Sequence, residues 1–220
     1  MLNIQGQNLY IYSITRDLGF APNPFHGVCT LATCKPKIRA GANVGDWVIG
    51  LAGHTIKGHY KKCIFIMQVS ERMSFTEYWN DERYQIKKPV RNGSKVQMLG
   101  DNIYCRTEEG GWWQSYSHHS NPDGSINEEN LRQDTSTDRV LTSDRFIYFG
   151  REAVEVDVDS LGYAKVRDCR KFSLSGSSNA RNLVSGIIDR YASNMNLVVS
   201  DPFHFDDFNR NVDQATGKYL

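Results

Sequence analysis

Three stretches of the chain combine side chains that bind anions, stack on bases or move protons. The first is Thr15-Arg16-Asp17 with Asn23, Phe25 and His26 close behind. Arginine grips a phosphate with a planar fork or stacks on a base. Asp17 and Asn23 can read a base edge, and Phe25 offers a stacking face. The alternative is an internal Arg16–Asp17 brace with Phe25 in the core. The second runs from Cys29 to Arg39 and carries Lys35, Lys37 and Arg39 at alternate positions. On an extended segment that spacing puts three cations on one face, suited to a phosphate backbone. Equally, it suits a charged edge strand guarded against aggregation. Cys29 is a remote candidate nucleophile, and a buried inert thiol is the plainer reading. The third holds Gly100-Asp101-Asn102, Tyr104, and then Ser117-His118-His119-Ser120. Either histidine can serve as general acid or base, with Asp101 or Asp17 as the second group. Adjacent histidines on a strand face opposite ways, and the spacing to Asp101 matches no metal motif, so no metal is expected. A fourth stretch, Asp134 to Arg139, reads as a turn entering the next strand.

These groups need a scaffold. Leu9 to Thr15, Cys63 to Val69, Arg145 to Phe149 and Val154 to Val158 read as strands, rich in β-branched and aromatic residues. Gly45-Asp46 reads as a turn feeding a buried strand from Trp47. Ser74-Phe-Thr-Glu77 fits a capping box opening a short helix through about Asn80. Asn92-Gly93 suggests a tight hairpin turn. Residues 108–137 form a long polar excursion. Leu183, Val184, Ile187, Ile188 and Tyr191 fall on one stripe of a helix over 179–194, capped by Ser177 or Ser178. Strands with few helices predict an α+β fold, whose strands can close into a small mixed or antiparallel barrel. One domain over 1–220 is expected, with a core of about 9–155 and a helix and tail from about 175.

Composition bounds the partners. The 220 residues carry 26 basic and 25 acidic side chains, a net charge of +1, which excludes a uniformly basic nucleic-acid coat. The charge is uneven. Residues 35–95 hold 12 basic and 5 acidic groups (+7), and residues 101–139 hold 3 and 8 (−5). No apolar run reaches membrane length, and Met1 to Asn8 lacks the pattern of a secretory signal. Five cysteines without a CxxC pair point to a reduced, cytoplasmic setting. The P-loop, GxGxxG, HExxH, GxSxG and zinc-deaminase signatures are absent.

The run over residues 10–39, Val44-Gly45-Asp46-Trp47-Val48-Ile49-Gly50, residues 75–81 and 100–104, Ser117-His118-His119-Ser120, residues 137–140 and Tyr148-Phe149-Gly150 resemble the nucleotide modification associated domain family, type 2. The family is associated with bacterial and phage systems that alter nucleobases. The resemblance spans about residues 9–155 and implies an α+β domain that reads or processes a nucleotide or modified base. The Gly45-Asp46-Trp47 turn is also similar to that of PUA-like and EVE-like barrels, which hold modified bases in an aromatic pocket. The expected ligand is thus a nucleotide, or a nucleic acid carrying a modified base, in a DNA-modification or phage-defence setting. Arg16, Lys35, Lys37 and Arg39 would hold phosphate. Phe25, Trp47, Asn23, Asn102 and Tyr104 would surround the base. No cofactor is expected. The alternative is an enzyme with His118 or His119 as acid and base.

Overall fold

The computed structural model describes residues 7–163 and 169–220. Most of Met1 to Asn8, where the signal pattern was sought, lies outside them. In chain order the strands are β1 Asn8–Ile14, β2 Cys29–Leu31, β3 Trp47–Ala52, β4 Cys63–Gln68, β5 Glu71–Met73, β6 Tyr104–Arg106, β7 Trp112–Gln114, β8 Val140–Ser143, β9 Arg145–Tyr148, β10 Cys169–Ser173, β11 Leu197–Val198, β12 Val212–Asp213 and β13 Lys218–Tyr219. The α-helices are α1 Pro36–Gly41, α2 Phe75–Asn80, α3 Lys95–Met98, α4 Glu128–Asp134 and α5 Ser178–Arg190.

A six-stranded mixed sheet, ordered β10-β1-β3-β4-β9-β11, forms the centre. β3 and β4 are buried along their whole length, as their unbroken apolar sequences require of strands covered on both faces. The period of two sends Leu9, Ile11, Trp47 and Ile49 to one face, under the apolar stripe of α5. It sends Tyr10, Tyr12 and Val48 to the other, where Leu31 and Ile38 cover them. A second sheet, β2-β8-β5, and two hairpins, β6-β7 and β12-β13, complete the strand pairing of the described residues. The fold is α+β, and no closed barrel occurs among the described residues.

Several local expectations hold. Ser74 and Glu77 form the capping box, with Ser74 Oγ accepting from Glu77 N at 3.1 Å and Glu77 Oε2 accepting from Ser74 N at 2.7 Å. Ser177 caps α5 through Ala180 N. Others fail for identifiable reasons. Residues 154–158 make one isolated bridge, Cys63 to Val154, and no strand. Asn92-Gly93 precedes α3, whose own Ser94–Gln97 capping box takes the chain into a helix. Residues 35–39 are not extended. Pro36 stands at the first position of α1, where its fixed φ favours a helix. The three cations therefore do not share one face: Arg39 turns inward, fully buried, while Lys35 and Lys37 do not follow it.

The tail returns across the end of β1. Asp17 is buried; its carboxylate accepts from the Tyr148 hydroxyl and from Phe203 N at 3.1 Å. Its carbonyl accepts from His204 N at 2.7 Å. Gly150, at φ 57°, lies so close to the Ser200 and Asp201 carbonyls that a Cβ would collide with them. Asp17 is therefore a brace, with the tail as its partner and not Arg16.

Burial pushes the Asp17 carboxyl up to about 6, against the Tyr148 and Phe203 hydrogen bonds that lower it. A raised carboxyl stabilises the fold while protonated, fully so below its unfolded value near 4, and that contribution is lost as pH rises through 6. Two units correspond to about 3 kcal/mol. The stability of the native chain relative to Asp17→Asn is expected to fall by about that amount between pH 4 and pH 7, read by urea unfolding. A constant difference would show that Asp17 ionises as freely in the fold as outside it.

Candidate active site

A pocket of about 430 Å³ opens beside the carboxyl end of β1, within the range of small-molecule sites. Tyr12, Arg16, Cys34, Lys35, His119 and Gln214 are among its lining residues. Its chemistry centres on one buried carboxylate, Asp134, at the end of α4. Asp134 Oδ2 lies 2.7 Å from His119 Nδ1 and accepts from the Tyr104 hydroxyl at 2.8 Å. Its Oδ1 accepts from Cys34 N at 2.6 Å. On the far edge of the imidazole, His119 Nε2 faces Cys34 Sγ at 3.7 Å. A thiol, a base within reach and a carboxylate that orients the base make a nucleophile relay.

Each member is held by more than one element. Cys34 follows β2 and stands in the left-handed region at φ 55°, as does Lys35 at φ 40°. Such backbone is disfavoured for side chains larger than glycine and persists only where its surroundings fix it. Here Arg39 does so, reaching back from α1. Its guanidinium donates to the carbonyls of Cys34 at 2.8 Å, Arg139 at 2.6 Å and Asp134 at 2.5 Å, and more weakly to Thr137 at 3.3 Å. One buried cation thus clamps the thiol loop to the end of α4. His119 sits in a turn and cannot swing. Its carbonyl accepts from Gln114 at 3.2 Å and Asn130 at 2.9 Å, and the Phe20 ring packs on the imidazole at 4.7 Å between centres. The Gln214 side-chain amide lies 3.1 Å from Nδ1.

Electrostatics separate the two histidines. Burial alone would depress His119, but the Asp134 carboxylate and Cys34 outweigh it and hold the imidazole up at about 10. Burial would raise Asp134; His119, Arg39 and Tyr104 hold it below the usual carboxylate range. His118 goes the other way. Burial, reinforced by the His119 charge, pushes it down to about 3. Its Nδ1 contacts the Arg210 carbonyl, and its own carbonyl accepts from Val212 N. His118 therefore anchors the tail as a neutral ring, and His119 carries the proton.

The pocket gathers Arg16, Lys35, Lys37, His118 and His119 from the candidates named in the sequence. Tyr104 stands one hydrogen bond behind, on Asp134. The remaining candidates lie elsewhere. Trp47 is fully buried under α5, and Phe25 packs on Phe205 in a separate core. Asn23 donates to the Leu99 carbonyl and accepts from the buried Lys87. Asp101 accepts from Thr30 and Tyr78, and Asn102 donates to the Tyr78 and Tyr84 carbonyls. Arg39 spends its donors on backbone carbonyls, and Asp17 braces the tail. Cys29 is buried and its thiol is pushed up to about 12 by desolvation, which makes it inert.

Sequence reasoning reads Asp134 as part of a turn and gives Cys34 no role, so it does not find two of the three members of this cluster. A thiol directly ahead of a Lys-Pro helix start was the available signal for Cys34; nothing local marks Asp134. The three side chains also form the one group of potential metal ligands among the described residues, with donors within 4.8 Å of one another. The imidazole stands between sulfur and carboxylate, however, so its two nitrogens serve different partners. That arrangement suits proton relay better than a shared cation.

A mixed α+β domain with Cys34, His119 and Asp134 in contact at a pocket that Arg16 and Lys35 also line is the class of molecule defined so far. The chain belongs to the family described as nucleotide modification associated domain 2, whose model matches residues 6–208. No curated protein and no protein of solved structure matches it. Among the described residues no helix is long and apolar enough to cross a membrane.

Iodoacetamide with peptide mapping tests the relay. Cys34 is expected to alkylate in the folded chain while buried Cys29 and Cys63 do not. Asp134→Asn should slow Cys34 at least about tenfold and leave the half-exposed Cys105 unchanged. Cys34 reacting as slowly as Cys29 would remove it from the site.

Proposed function

We propose that this chain is an enzyme of nucleotide modification, with Cys34 as nucleophile, His119 as general acid and base, and Asp134 as the residue that orients His119. The observation that carries the reading is the chain of contacts from Asp134 Oδ2 through His119 to Cys34 Sγ, at 2.7 and 3.7 Å, opening on the pocket.

The pocket's charge suggests how a nucleotide sits. Arg16 has no ion-pair partner among the described residues; its guanidinium stacks on the Tyr219 ring at 4.0 Å. The Lys35 ammonium lies 5.0 Å from the Tyr12 ring centre, also without a carboxylate. Two cationic heads without anions attract a phosphate, and arginine can grip it bidentately. In this reading Arg16 and Lys35 take the phosphate and direct the rest of the ligand toward Cys34. The pure reader is less well supported, because it relied on Phe25 and Trp47 as stacking faces and both rings are buried in cores.

Deoxynucleoside 5′-monophosphates are the probes. Arg16→Ala is expected to weaken their binding about tenfold, as removal of a charge-assisted hydrogen bond does. A saturating nucleotide should also protect Cys34, and not Cys105, from iodoacetamide. Calorimetry and labelling check both. Binding unaffected by Arg16→Ala, with Cys34 unprotected, would move the nucleotide away from this pocket.

A further inference from the structure

Three kinds of electrophile are open to an activated thiol near a nucleotide: an unsaturated ring carbon, an alkyl carbon and an acyl carbon. The residues around Cys34 discriminate among them. Addition across a heterocycle needs an acid at a second ring atom besides the imidazole that faces the sulfur, and cleavage of a glycosidic bond ordinarily needs a pair of carboxylic side chains. No aspartate or glutamate is among the residues that line the pocket. Alkyl transfer needs no proton delivered to its leaving group, so it would use the imidazole only to activate the thiol and not as an acid. Acyl transfer needs what is present. It needs a thiol to form the new bond, and an imidazole beside it to return a proton to a departing amine or alkoxide. It also needs cations or amide groups near the carbonyl oxygen as that oxygen gains charge. With Arg16 and Lys35 on the phosphate, Gln133 and Gln214 are the amide side chains among the lining residues.

Resting on the nucleophile reading above, we propose that the substrate is a phosphorylated nucleotide bearing an acyl group, as an amide or an ester, and that Cys34 removes that group through a thioester. The steps balance without a redox partner. Cys34 Sγ forms a bond to the carbonyl carbon, and the proton shared between Sγ and His119 Nε2 comes to rest on Nε2. Collapse of the tetrahedral adduct breaks the bond to the leaving nitrogen or oxygen, which takes that proton and departs as amine or alcohol. Water then attacks the thioester, gives a proton to Nε2, and the carbon–sulfur bond breaks. The carboxylic acid leaves, Cys34 Sγ keeps the electron pair of the broken bond, and the proton stays on Nε2, shared with the sulfur as before. Asp134 stays ionised throughout and keeps Nδ1 turned toward itself.

The same chain supplies its own control, because Cys105 is a half-exposed thiol without a histidine partner among its hydrogen bonds. The probe is p-nitrophenyl acetate, used with the full-length protein. A burst of nitrophenolate followed by steady turnover is expected, with an acetyl group trapped on Cys34 by acid quench. Water should clear that thioester about a hundredfold faster than an acetyl group on Cys105, the usual contribution of a positioned acid–base. His119→Gln should keep a burst and lose the turnover, and an unchanged melting temperature separates that loss from unfolding. An acetyl group that persists on Cys34 as long as on Cys105 would overturn the acyl-transfer proposal. If Cys34 is still alkylated by iodoacetamide in an Asp134-dependent way, the nucleophile reading survives that result. If it is not, both fall.

Discussion

One buried carboxylate organises this molecule. Asp134 is fully buried, and an ion of that size left alone in the interior would cost several kcal/mol. It is tolerated because Cys34 N, His119 Nδ1 and the Tyr104 hydroxyl all turn toward it. The same contacts draw together the loop after β2, the turn holding His119, the β6-β7 hairpin and the end of α4. The need to satisfy one anion therefore sets the geometry of the site.

The scaffold around that anion is built in layers of polar contacts. Gln114, on the inner face of the β6-β7 hairpin, donates to the Tyr104 hydroxyl at 3.1 Å and to the His119 carbonyl. Asn130 joins the His119 carbonyl to that of Val212 in the tail. Arg39 replaces water for four backbone carbonyls. Networks of this kind stiffen a site when every member is paired. They also explain why so many polar residues that look like ligand readers face inward. Asn23, Lys87, Asp101 and Asn102 form a separate buried network under α2, distant in role from the pocket.

How much was legible in the sequence depended on the range of the forces involved. The capping box at Ser74, the stripe of α5 and the buried runs of β3 and β4 are local patterns, and they were readable. The extended reading of residues 35–39 failed because a single Pro36 outweighs alternating charge, and because the burial of Arg39 answers to carbonyls about a hundred residues away. The two histidines are legible as a pair, but their division of labour follows from Asp134, which nothing in its own stretch marks as a partner of His119, and from Arg210, 92 residues from His118. Trp47 and Phe25 were read as stacking faces on chemical type alone, and type does not tell a core aromatic from a surface one. The family resemblance survived these misreadings, since it rested on long stretches and not on the role of any one side chain.

The central claim is that Asp134 holds His119 charged beside Cys34. Nitrogen-15 NMR of the His119 ring between pH 6 and 9 reads its protonation directly. The account predicts an imidazolium with both nitrogens protonated across that range, and a ring that becomes neutral near its ordinary value in Asp134→Asn. A His119 that is neutral at pH 7 in the native chain, or whose titration ignores Asp134, would contradict it.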